Sequence, residues 1–352
     1  MFAKNTRLML GIGGLALLVS ACGRDEPGVE TSAALADGVL LPAYAQWHQS
    51  NQRLAMSGAA FCDGAEDLAA LRQGFVEAQT AWSRLQAMMV GPLGEGNLAW
   101  QVQFWPDKKN LVARQVRTLL QNPAQPLDIE KGSVVVQGLT AYEYVVYDPE
   151  IDLQDSDTRV RYCPLIVAIG EHQQALSGRI LEQWQADGMT AQLSRFPNER
   201  YADGDEALGD VMRVQVTALD GLKKKLGQPL GRPGQGIPQP YQAEAWRSGR
   251  SLASIGATVE GARALWQGAN GDGLRSRLED QALAERIDAA YGAVSERLAK
   301  LQAPLSELLA TEDGRERLNA LYDELNVLHR LHQGELARAL GIQIGFNAHD
   351  GD

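Results

Sequence analysis

Between Gln137 and Asp148 the chain reads Gln-Gly-Leu-Thr-Ala-Tyr-Glu-Tyr-Val-Val-Tyr-Asp, and one ionisable acid, Glu143, stands among apolar and aromatic neighbours. An ionised carboxylate in that company is costly unless something pairs with it: a cation, a metal ion or hydrogen-bond donors. Gly138 opens the stretch, and Thr140 lies three residues before Glu143, on the same face if the segment is helical. A threonine hydroxyl is a weak ligand and a natural cap at a helix start. A second pair at metal-ligand spacing is His332 and Glu335, preceded by His329. Imidazole and carboxylate on one helix face suit a divalent cation. The competing role for His332 is that of a hydrogen-bonded core residue, because the stripe Leu318, Leu321, Leu325, Leu328 runs into it. His329 falls off that stripe and is expected in solvent.

Other groups carry weaker chemistry. Arg247 and Arg250 lie beside a flexible loop and suit either an anion or pairing with neighbouring acids. Gly231-Arg232-Pro233-Gly234-Gln235-Gly236 is glycine-rich, but it contains proline and follows no strand pattern, which argues against a phosphate cradle. Asn347, His349, Asp350 and Asp352 form an oxygen-rich tail without the spacing of a calcium loop. His-Glu-x-x-His, Gly-x-Ser-x-Gly and Cys-x-x-Cys are all absent from the sequence. The formal charge of −11 argues against nucleic acid as a partner.

The elements that must position these residues are helices. Hydrophobic residues make up 45% of 352 residues and aromatics only 6%, with Ala and Leu throughout. Asp63 with Glu66 resembles a capping box, after which Leu68, Leu71, Phe75, Ala78, Trp82, Leu85 and Met89 recur at spacings of three and four. Further helices are expected over 42–57, after Asp107, and over 133–147, 158–187, 204–226, 251–266, 282–301 and 316–340. The run 227–240, dense in Gly and Pro, is expected as a long loop. The pattern predicts an all-α protein of two packed helical bundles, residues 37–198 and 199–352.

Several short motifs, taken in order, resemble the imelysins, a family of helical bacterial envelope proteins. They are Ala81-Trp82, Trp105-Pro106-Asp107, Gln137-Gly138-Leu139 with Glu143, Trp246-Arg247-Ser248-Gly249-Arg250-Ser251, and the terminal Gly345-Phe346-Asn347 and Asp350-Gly351-Asp352. The family carries Gly-x-His-x-x-Glu at the start of a helix. Here Gly138 and Glu143 match, and Thr140 replaces the histidine. The resemblance implies two bundles with a site near their junction, where Trp105, Asp107, Trp246 and Arg247 would line a cleft. It also implies a role linked to iron acquisition, by binding a metal, a metal chelate or an envelope partner. Iron or another divalent cation is the cofactor it suggests. A metallopeptidase activity and an interaction scaffold without a small ligand are the alternatives, and Thr140 weighs against the first.

The first residues predict an address. Lys4 and Arg7 precede an apolar run, Leu8–Val19, that is too short to span a membrane as a mature anchor. It ends in Val19-Ser20-Ala21-Cys22, which resembles the bacterial lipoprotein signal. Residues 1–21 would be removed, Cys22 would carry lipid, and 22–36 would form a tether on the periplasmic side of the envelope. Gly23 after the lipidated position favours the outer membrane. The membrane, through that anchor, and iron-uptake envelope proteins are the expected partners. Cys62 and Cys163 then remain as an even pair in an oxidising compartment, either joined as a disulfide or kept as two buried thiols.

Overall fold

The computed structural model describes residues 27–342 except 122–126, 186 and 235. The leader, Cys22 and the tail that includes Asn347, His349, Asp350 and Asp352 lie outside the described residues.

Helix α1 (Pro27–Leu35) continues through a π-helical turn, Ala36–Leu40, into α2 (Leu41–Cys62). Then follow α3 (Leu68–Leu85), α4 (Leu98–Val102), α5 (Leu111–Leu119), α6 (Leu139–Tyr147), α7 (Ser156–Trp184) and α8 (Met189–Gln192). The second half contains α9 (Gly204–Gly227), α10 (Ser251–Gln267), α11 (Gln281–Lys300), α12 (Leu305–Ala310) and α13 (Glu312–Arg330). A π-helical turn over Leu331–Leu336 and a short helical end, Ala337–Ala339, complete it. Among the described residues there is no strand, and no helix is long and apolar enough to cross a membrane.

Carboxylates start most of the long helices. Asp67, Asp155, Asp203 and Asp280 each accept a backbone N–H three residues on, at 2.8–3.0 Å, and the Thr311 hydroxyl does the same for α13. Each such cap is worth about 1 kcal/mol. Asp63 is not a cap of this kind: α2 runs on to Cys62, so Asp63 ends that helix and Asp67 begins the next.

In the first bundle α2 lies between α3 and α7. The expected stripe on α3 is buried through Leu71, Phe75, Ala78, Trp82 and Leu85, each large side chain contributing about 1.5–3 kcal/mol by leaving water. The Cys62–Cys163 disulfide is formed, Cα–Cα 5.6 Å, and ties the end of α2 to the start of α7. In the second bundle α9 packs on α10 and α13, and α11 on α13. The halves meet where α3 crosses α10, and Gly261 permits this approach, since a Cβ there would stand 2.1 Å from the Arg84 carbonyl oxygen. One continuous hydrophobic core runs through both halves.

Besides Asp63, the structure departs from the sequence expectation in three places. Residues 27–35, assigned to the tether, form α1, bury Leu35, Ser32 and Thr31, and pack on α9 of the second half. The helix expected over 133–147 is broken: Val134–Val136 makes a 3-10 turn and Gly138 is extended before α6 begins. The Gly138 backbone abuts α4 so closely that a Cβ would sit 2.3 Å from the Val102 carbonyl oxygen. His329 is buried, not solvated, because α9 packs on α13 and brings Asp220 within electrostatic reach of the imidazole.

Candidate functional site

Helix α6 is buried along nearly its whole length. It must be, because it faces the first bundle on one side and receives the segment 243–250 of the second half on the other. Glu143, 2% exposed, is where the two meet. One of its oxygens, Oε1, accepts the backbone N–H of Ser248 at 2.8 Å and the Ser248 hydroxyl at 2.7 Å. Burial pushes the Glu143 carboxyl above its usual range, while the two Ser248 donors and the nearby Arg247 pull it back down.

One residue before Ser248, Arg247 is locked. Its Nε donates to Asp148 at 2.8 Å and its Nη2 to Asn110 at 3.3 Å. Its guanidinium lies 5.0 Å from the Tyr144 ring centre and 4.4 Å from that of Trp246. The Arg247 and Asp148 side chains are 5% and 12% exposed, so this is a buried pair whose value depends on both partners being present. The segment that carries Arg247 and Ser248 takes two left-handed residues, Ala245 at φ 49° and Gly249 at φ 70°. For Ala245 that conformation costs of order 1–2 kcal/mol, which the contacts of this segment to Glu143, Asp148 and Gln86 must offset.

Deeper in the junction the second half supplies a carboxylate of its own, Glu244. It is buried and receives Lys225 Nζ at 2.7 Å and the Gln86 amide at 3.1 Å, and Lys225 also donates to the Gln86 side-chain oxygen. From Gln86 the network continues through Gln103 to Trp82 and Gln79, and from Gln79 to Ser254 of α10. A buried polar seam of this kind is stable only when its members are satisfied together. It fixes how the halves dock.

Trp105 belongs to that seam. Its Nε1 donates to the Gln242 carbonyl at 3.1 Å and Lys225 Nζ stands 5.6 Å from its ring centre. Asp107, Trp246 and Arg247, by contrast, line an open cleft of about 410 Å³ beside the junction, together with Tyr144, Tyr241 and the basic side chains of Lys108, Lys109 and Arg117. Asp107 accepts the N–H groups of Leu111 at 2.6 Å and Val112 at 3.2 Å, so it caps α5 as its position predicts. Three of the four cleft residues expected from sequence therefore share the opening, and Trp105 is instead engaged by Gln242 and Lys225.

A family model for imelysin matches residues 40–332. The chain belongs to the imelysin family. Its fold is similar to that of an imelysin-like protein from Psychrobacter arcticum, with a TM-score of 0.77 at 22% identity over 91% of this chain and 98% of that one. It is also similar to a protein from Parabacteroides distasonis described as a putative iron-regulated protein A precursor, with a TM-score of 0.70 at 15% identity over 89% and 97% of the two chains. No curated protein matches.

At the imelysin motif position the Thr140 hydroxyl and one Glu143 oxygen, Oε1, are already engaged. The Thr140 hydroxyl, in the place of the histidine, donates to the Phe104 carbonyl at 2.9 Å, and Glu143 is held by Ser248. Among the described residues no group of three or more His, Cys, Asp and Glu side chains converges to hold a metal. These residues do not fit a metal-ion centre.

The second candidate pair is also put to other uses. His332 is fully buried, with Nδ1 3.0 Å from the Leu328 carbonyl and Nε2 3.0 Å from the Tyr291 hydroxyl. The carbonyl can only accept, so Nδ1 carries the proton and Nε2 accepts from Tyr291. Burial lowers its pKa to about 4, against the pull of the Leu328 carbonyl. Glu335 points away to Arg286 in a two-pronged pair at 2.7 and 2.8 Å. His332 is a core residue and Glu335 a surface one; the spacing is right, but the intervening π-helical turn and these partners separate their roles.

Ser248 as the partner of Glu143, and the seam of Gln79, Gln86, Gln103, Lys225 and Glu244, were not found from sequence. The available signal was Gln79, Ser83 and Gln86 beside Trp82, polar groups at helical spacing on a helix otherwise read as apolar.

Proposed function

We propose that this imelysin-family protein is a non-catalytic binding module of the bacterial envelope, linked to iron acquisition and taking iron as a chelate or through a partner rather than as a bare ion. The observation that carries this reading is the use of Glu143: its carboxyl holds the second half through Ser248, while the neighbouring cleft stays open. The iron link leans on the similarity to a protein described as iron-regulated. Lipid attachment at Cys22 and an outer-membrane location complete the proposal, on the strength of Ser20-Ala21-Cys22-Gly23.

The test has two parts. The purified protein is titrated calorimetrically with ferrous, ferric and zinc ions and with ferric citrate, and incubated with an unfolded protein substrate while new N-termini are scored. Saturable binding of ferric citrate, not of the bare ions, without metal-dependent cleavage is expected; metal-dependent cleavage lost in Glu143→Ala would establish the peptidase instead. Labelled fatty acid should be incorporated in cells and lost in Cys22→Ser, and unchanged labelling in that variant would remove the anchor from the proposal.

A further inference from the structure

The open cleft differs in charge from the rest of the molecule. Four basic and three acidic side chains line it, in a chain whose formal charge is −11. Two of the three acids are already used inside the protein: Asp148 is paired with Arg247, and Asp107 accepts two amides at the start of α5. Glu150 is the third, 3.7 Å from Arg117, in a pair whose members are 76% and 47% exposed and hence weakly held. Lys108 and Lys109 are exposed and have no carboxylate within ion-pair distance among the described residues. The lining side chains therefore sum to one net positive charge, with the two lysines free to meet a ligand.

The walls add a second feature. Tyr241 is exposed at the rim, and Trp246 lies against the immobilised Arg247 guanidinium. Flat side chains at an opening offer stacking area at low entropic cost. Arg247 is fixed before any ligand arrives, which lowers the ordering cost of binding.

We propose that this cleft binds a small, multiply charged oxyanion, with its carboxylate or phosphate groups on Lys108, Lys109 and Arg117 and its flat portion against Tyr241 and Trp246. This rests on the binding-module reading and names its ligand class. A metal held by such an anion would enter as the complex, with no protein ligand to the ion.

The experiment is calorimetric titration of the purified protein with citrate, ferric citrate and inorganic phosphate at low and high salt, repeated with Lys108→Glu/Lys109→Glu and with Tyr241→Ala. Both lysines and Tyr241 are exposed, and circular dichroism checks that the variants fold. At least one of the anions should bind at a single site, more weakly at high salt. Its affinity should fall about tenfold or more in the lysine variant and about threefold in Tyr241→Ala. Preference for citrate or its ferric complex over phosphate assigns the carboxylate class, and the reverse assigns phosphate. Absence of binding by all three, or equal binding by the lysine variant, would overturn the proposal. If ferric citrate binds equally well to that variant, the binding-module reading survives and the cleft assignment falls. If citrate or phosphate binds through the lysines and no iron species does, the cleft assignment stands and the iron link falls.

Discussion

Replacing Glu143 separates the work of its shape from the work of its charge. Glu143→Ala removes the acceptor of the half-buried Ser248 N–H and leaves that donor without its partner, at about 1–3 kcal/mol. The Ser248 hydroxyl retains a second acceptor, the Ala245 carbonyl at 3.1 Å, and so adds little. Loss of the side chain beyond Cβ from a buried site adds a cavity cost of about 1–2 kcal/mol. Release of the buried carboxyl from its desolvation offsets part of this, which leaves a loss of about 2–4 kcal/mol. Glu143→Gln keeps an acceptor oxygen in place and should fall within about 1 kcal/mol of the parent. The pH dependence carries the same distinction. The Glu143 carboxyl is raised above 4.5 in the folded state, so the folded protein holds this proton after the unfolded chain has released it. Its contribution is fully present below 4.5 and is lost as pH rises through the raised value. Glu143→Gln should abolish that slope. Urea unfolding across pH, followed by tryptophan fluorescence, measures both quantities. A Glu143→Gln variant as unstable as Glu143→Ala, or one with the parental pH slope, would refute the reasoning.

Other perturbations give distinct outcomes. Arg247→Ala strands the Asp148 carboxylate and should cost about 3–5 kcal/mol, and Arg247→Lys should recover little of it because lysine cannot keep the fork to Asp148 and Asn110; urea midpoints decide both. Lys225→Met should cost a similar ~3–5 kcal/mol by leaving Glu244 without its cation, and a parental midpoint would contradict the seam. Cys62→Ser opens a link between residues 101 apart and should lower stability by about 2–5 kcal/mol, with the parent matching it once reduced. His332, lowered from 6.5 to about 4, contributes stability that is present above 6.5 and lost as pH falls to about 4, roughly 3 kcal/mol in all; His332→Leu should remove that acid-side loss in denaturation curves.

Much of the helical frame was legible because helix starts, stops and faces are local properties. The stripe of α3 and the breaks at Gly227 and after Trp266 follow from spacing and composition alone. The break inside 133–147 was not, because it depends on how closely α4 approaches Gly138. Glu143 announced itself as a buried acid, but its partner lies 105 residues away and only the docking of the halves reveals it. Likewise His332 and Glu335 have ligand spacing in sequence, and only the positions of Tyr291 and Arg286 show how each is used.

The most direct test is equilibrium dialysis of the protein against ferric citrate and against ferric ion, with iron counted per chain, for the parent, Glu143→Gln and Lys108→Glu/Lys109→Glu. Iron should be retained from ferric citrate by the parent and by Glu143→Gln, and lost in the lysine variant. Stoichiometric iron taken from the free ion, and abolished by Glu143→Gln with the lysine variant unaffected, would contradict this and put a metal centre back at the family motif.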